Sequence, residues 1–133
     1  MTDSYVYDGE WNDNQKHGKG VERDYLGNTY KGDWKQGNKS GHATITFIEE
    51  DDAMYLGNVL NGKLNGYGTF KSRSLIYEGE FIENRRNGMG TLWTPDWKTT
   101  EYTGIWEDGT RSGKGQRWYT DGSVYYGDFK DNK

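Results

Sequence analysis

His17 and His42 are the side chains of this sequence best suited to proton transfer or metal ligation near neutral pH. No cysteine accompanies them and no paired carboxylate stands at ligand spacing, so both read as satisfied or solvated loop histidines. Gly-x-Gly recurs at 18–20, 66–68, 88–90 and 113–115. It lacks the third glycine and the strand-to-helix setting of a phosphate or dinucleotide loop, and strand packing accounts for it better. No Ser/His/Asp set can be assembled. The sequence predicts no enzyme, no metal and no cofactor.

Charge and aromatic surface offer chemistry of another kind. Lys16, Lys39, Leu64, Arg86 and Arg111 follow one another at intervals of 22 to 25 residues, with Lys63 and Arg85 beside the middle ones. One basic residue per loop would form a positive row. It would protect a sheet edge, or draw anionic headgroups at about 1 kcal/mol per residue near a membrane. Glu10, Asp33, Asn58, Glu80, Ile105 and Asp128 recur at the same interval and read as a mostly acidic, solvated row. The net charge of -4 disfavours nucleic acid as partner, because phosphate neutralisation needs a dominant basic face.

The elements that position these residues follow from composition. Only 31% of the 133 residues are hydrophobic, too few for an ordinary globular interior, yet 16% are aromatic, with six Trp and eleven Tyr. Rings carry the apolar area. The chain has no secretory-type leader and no long apolar run, which predicts a soluble, cytoplasmic protein.

The rings recur as YDGEW, YKGDW, YLGNV, YEGEF, YTGIW and YYGDF, beginning at residues 7, 30, 55, 77, 102 and 125. Ring, glycine and ring alternate with polar residues, the period of a half-buried strand. Seven residues on stands Asn14, Gly37, Gly62, Asn84, Gly109 or Asn132, which predicts a tight turn with left-handed backbone. The returning segment carries the Gly-x-Gly pair, with Ala43 in place of the second glycine in the second copy. Each unit is therefore a β-hairpin, and polar crossings such as 48–53, 71–74 and 94–100 join one to the next. A period of 22 to 25 residues indicates stacked units sharing their interfaces.

YxGxW followed by GxG resembles the MORN (membrane occupation and recognition nexus) repeat, over residues 5 to 133. The resemblance implies an all-β, elongated, single-layer antiparallel sheet, one array across residues 1–133 with a half repeat from 125. It also implies a shallow groove lined by the aromatic positions. Tyr7, Trp11, Tyr30, Trp34, Tyr55, Tyr77, Phe81, Tyr102 and Trp106 are its expected lining, with Val59 breaking the pattern in the third repeat. Rings on a single-layer sheet are expected to stay partly exposed and to receive a helix or extended peptide of a partner protein. That reading makes the chain a non-enzymatic scaffold at the cytoskeleton or cell cortex.

Two alternatives accompany it. The basic loop residues Lys16, Lys39, Arg86 and Arg111 would serve a peripheral membrane module, with weak binding to anionic phospholipid. RWYTDGSVYYGDF, residues 117–129, is similar to the cell-wall-binding repeats of bacterial surface proteins, which implies carbohydrate or choline recognition. The last strand, with Tyr125 and Phe129, has no returning partner within the chain and is expected to pair with a second copy in a homodimer.

Overall fold

The computed structural model describes residues 6–48, 52–96 and 99–132; parts of the crossings at 48–53 and 94–100, and Lys133, lie outside them. Eleven strands follow one another in a single antiparallel sheet whose spatial order is the sequence order. They are β1 (Val6–Asn12), β2 (Gln15–Arg23), β3 (Thr29–Lys35), β4 (Asn38–Phe47), β5 (Ala53–Leu60) and β6 (Lys63–Lys71). The remainder are β7 (Ile76–Ile82), β8 (Arg85–Trp93), β9 (Thr100–Glu107), β10 (Thr110–Trp118) and β11 (Val124–Phe129).

Each hairpin closes through two residues with positive φ. In the second repeat these are Gln36 at 51° and Gly37 at 84°, in the fourth Glu83 at 46° and Asn84 at 72°. Such a turn matches the right-handed twist of its strands, and it accounts for the Gly or Asn of every repeat. The turns are also bonded to one another. The amide of Gly37 donates to the Lys16 carbonyl at 2.9 Å, and that of Gly109 to the Arg86 carbonyl at 2.9 Å. His17 belongs to this row: its Nδ1 accepts the Gln36 amide at 3.4 Å.

The two glycines of the return strand have different physical duties. A Cβ on Gly90 would lie 2.2 Å from the Tyr77 hydroxyl oxygen, and one on Gly79 would lie 2.4 Å from the Gly90 Cα. The tyrosine ring therefore rests on a bare backbone pair. The first glycine, Gly88, sits at φ 103° in a bulge. There β7 advances from Gly79 to Phe81 while β8 covers Arg86 to Gly90. Extra backbone in such a bulge must find other partners.

The acidic row supplies them, which corrects the expectation that it is merely solvated. Glu80 accepts the Met89 amide at 3.1 Å, Asp33 the His42 amide at 2.9 Å and Glu10 the Lys19 amide at 3.3 Å. These carboxylates lie on the face opposite the rings, as their alternation requires, but they close the bulges as well as meeting water.

Candidate partner-binding groove

The leading tyrosine of every repeat donates its hydroxyl to the carbonyl three residues on, from Tyr7 to Glu10 at 2.7 Å through Tyr125 to Asp128 at 3.0 Å. That bond lays the ring along its own strand. The second ring of the next repeat then meets it edge to face. Tyr77 lies 5.0 Å from Phe81 and 5.5 Å from Trp106, at 83° and 89°. Indole nitrogens complete the contact: Trp34 donates to the Gly20 carbonyl at 3.3 Å and Trp106 to that of Gly90 at 3.2 Å. Tyr7–Trp34, Tyr55–Phe81 and Tyr102–Phe129 repeat the arrangement.

This packing corrects the expected exposure of the stripe. Tyr55, Tyr77 and Tyr102 are 0% exposed, and Tyr30, Trp34, Phe81 and Trp106 are also buried. Rings of successive repeats cover each other. Among the expected lining residues Tyr7 is half-buried and Trp11, on the edge strand, is 59% exposed. On β11, Phe129 is buried against Tyr102, whereas Tyr125 stays exposed at the outer strand.

The basic residues are displaced from their expected place too. They do not project from the loops but fold back over the ring face. Lys16 lies 5.0 Å from the Trp34 ring, Lys39 5.3 Å from Tyr30, Arg86 4.5 Å from Trp106 and Arg111 5.4 Å from Tyr102. A cation over an aromatic face is attracted by the ring quadrupole, and its stem covers apolar surface.

Between this cationic rim and the crossings on the other side runs a trough. One hollow of about 480 Å³ lies over Tyr30, Ile45, Phe47, Leu64 and Phe70. A second, of about 330 Å³, continues from Leu64 and Phe70 to Leu75, Tyr77 and Arg86. The trough is open where the third repeat departs from the others. Val59 stands in place of the second ring, and Leu64 in place of the stacked cation. The edge-to-face chain is consequently interrupted between Tyr30 and Tyr55, and apolar side chains line the gap.

Five segments, residues 7–26, 30–49, 55–74, 77–99 and 102–124, match the MORN repeat family, and together they make up most of the chain. The chain belongs to the MORN repeat family. Among its relatives, rat and human alsin are each 34% identical over 100 residues, covering 70% of this chain and 6% of the relative. The frog Xenopus laevis MORN repeat-containing protein 3 is 38% identical over 71 residues, covering 47% of this chain and 29% of the relative. The chain thus spans a small part of the relatives it matches. MORN repeats serve as protein- and membrane-interaction modules. Among the described residues, no helix is long and apolar enough to cross a membrane.

Ring-face residues that the MORN pattern alone does not reveal are Glu22, Ile45 and Phe70, which line the first hollow, with Leu92 and Arg117 at the equivalent places of the later repeats. They share one repeat position, fifteen residues after the leading tyrosine, and pair in register with the tyrosines. The signal available was their common spacing. Their variety of type hid it, for glutamate, leucine and arginine are alike only in pairing with the tyrosines of the ring face.

Proposed function

We propose that this MORN array is a non-catalytic scaffold whose ring-face trough holds a helix or extended segment of a partner protein at the cytoskeleton or cell cortex. The observation that carries the reading is the pair of adjoining hollows over Ile45, Phe47, Leu64, Phe70 and Leu75, edged by polar groups that include Glu22, Asn28, Lys39 and Asn84, which the array's own rings leave uncovered. A concave apolar lining with a few polar groups at its rim is the usual form of a recognition site. The buried tyrosines and tryptophans support the trough from below. Phe47, Phe70 and Leu75 are half-buried and would make the contact.

The test compares the two faces. A partner identified by crosslinked capture should bind Phe47→Ala, Phe70→Ala protein at least tenfold more weakly than wild type. Leu56→Ala, Met89→Ala protein, changed on the opposite face, should bind as wild type does. Equal affinity for the trough variant and the wild type would sink the proposal, provided circular dichroism shows an intact sheet in both.

A second contact is proposed at β11, whose outer edge is unpaired within the described chain and carries the exposed Tyr125 and Tyr126. Unpaired strand edges recruit other strands. Light scattering should show a dimer that is lost when residues 125–133 are deleted. A monomer at high concentration, unchanged by the deletion, would remove this proposal.

A further inference from the structure

The trough is not electrically uniform along its length. At its first end Glu22 is buried between two lysines, bonding Lys16 at 3.1 Å and Lys39 at 2.8 Å. That neutralises one of the two cations there. The lysines in turn hold its carboxyl below the ordinary glutamate range against the opposing effect of burial.

Beyond the second hollow, which ends at Arg86 and Gly109, no carboxylate among the described residues is ion-paired to the arginines of the ring face. Where the first repeat places Glu22, the fifth places Arg117, opposite Tyr102 and Tyr125 on the same face. Arg86 bonds the Gly109 carbonyl at 3.1 Å and lies on Trp106; Arg111 lies on Tyr102 and Trp106. Among the described residues, Arg86, Arg111 and Arg117 form no ion pair within 4.0 Å. The Nε of Arg111 is buried without a hydrogen-bond partner. Arg85, at the neighbouring turn, faces Asp108 at 4.0 Å.

Burial, above all, lowers the pKa of Arg86 and of Arg111. The mutual repulsion of the arginines adds to it, while Glu101 partly offsets it at Arg111. A half-buried guanidinium with no carboxylate within ion-pair distance gains most from an arriving one, which can accept from its fork in two parallel bonds. From the neutralised end, where Glu22 and Lys39 line it, the first hollow runs to Leu64 and Phe70 of the third repeat. Leu64 there replaces the cation, so an incoming apolar side chain displaces no charge.

Resting on the partner-binding reading above, we infer that the segment held by the trough is an acidic peptide. A bulky apolar residue enters the hollow at Leu64 and Phe70, and carboxylates follow it toward Arg86, Arg111 and Arg117. Arg86 lies one repeat beyond Leu64 and Arg111 two. Two strands per repeat place them roughly 10 and 19 Å from the anchor along the sheet. That polarity fixes the direction in which the peptide lies.

The probe is a displayed library of random 16-residue peptides, selected on the folded chain at physiological salt. Recovered sequences should carry a large apolar residue with Asp or Glu on one side of it at a regular spacing. A synthetic representative should bind at least tenfold more weakly to Arg86→Gln, Arg111→Gln protein. It should bind more weakly still to Arg117→Glu protein, which copies the neutralised end. Circular dichroism reports that each variant keeps its sheet.

Neutral or basic peptides that are lost on Phe70→Ala would leave the trough as a docking site and overturn the acidic assignment alone. Peptides indifferent to Phe70→Ala, or no enrichment at all, would overturn both readings. If phosphatidylserine vesicles sediment the chain at physiological salt through Arg86 and Arg111 while no acidic peptide is recovered, the anion is a lipid headgroup and the inference fails.

Discussion

Replacement of Tyr77 by alanine is expected to cost about 3–5 kcal/mol, the range for emptying a buried aromatic site. The ring is 0% exposed, contacts Phe81 and Trp106 edge to face, and lies on the Gly79–Gly90 backbone pair. Removing it opens both interfaces of the fourth repeat at once, and a bare backbone pair cannot collapse to refill the space. Tyr77→Phe keeps the packing and loses only the hydroxyl bond to Glu80, so about 1–2 kcal/mol is expected. Trp11→Ala should cost less than about 1 kcal/mol, because that ring is largely in water and stacks on Tyr7 at the edge of the sheet. Urea unfolding followed by circular dichroism ranks the three. Comparable losses for Tyr77→Ala and Trp11→Ala would show that the rings do not act as a core.

The second large effect is alkaline unfolding. Burial pushes the Tyr55 hydroxyl up to about 12 and raises those of Tyr30, Tyr77 and Tyr102 as well. A phenol free in the unfolded chain titrates near 10. The folded values are therefore the higher ones, and the unfolded state releases protons that the native state retains. The stability associated with these groups is fully present below pH 10 and is lost as the pH rises through the folded values, between about 10 and 12 for Tyr55. The urea midpoint should stay level from pH 7 to 9 and then fall steeply. Tyrosinate absorbance of the buried set should appear together with the loss of the β spectrum. Gradual ionisation with the sheet intact at pH 12 would mean that the hydroxyls are not held as donors to the carbonyls three residues on.

These two results bear directly on the trough. A partner segment can lie on a layer one sheet thick only if that layer is rigid without it, and the interlocked rings supply the rigidity. The rings cannot be both the unshared core and the exposed lining. On the proposed reading Trp34 and Phe81, which are buried, support the trough, and Phe47, Phe70 and Leu75, which are half-buried, make the contact.

The period of 22 to 25 residues, the hairpin turns and the antiparallel order were legible in the sequence because each depends on local backbone chemistry. Asn or Gly at the turn records a positive φ, as at Gly37 and Asn84; of the two glycines on the return strand, the first records a bulge, as at Gly88, and the second a backbone that a ring approaches closely, as at Gly90. What covers a side chain is a different kind of fact. Trp106 is buried by Tyr77 of the preceding repeat and by the guanidinium of Arg86, none of which is near it in the chain. Lys16 could have reached solvent as easily as the Trp34 ring, and Glu22 could have been one more surface acid. The tertiary structure settled both by bringing Lys16 and Lys39 to the same carboxylate from adjacent hairpins. Flexible charged side chains choose their partners by distance across strands, and that distance exists only once the sheet has formed.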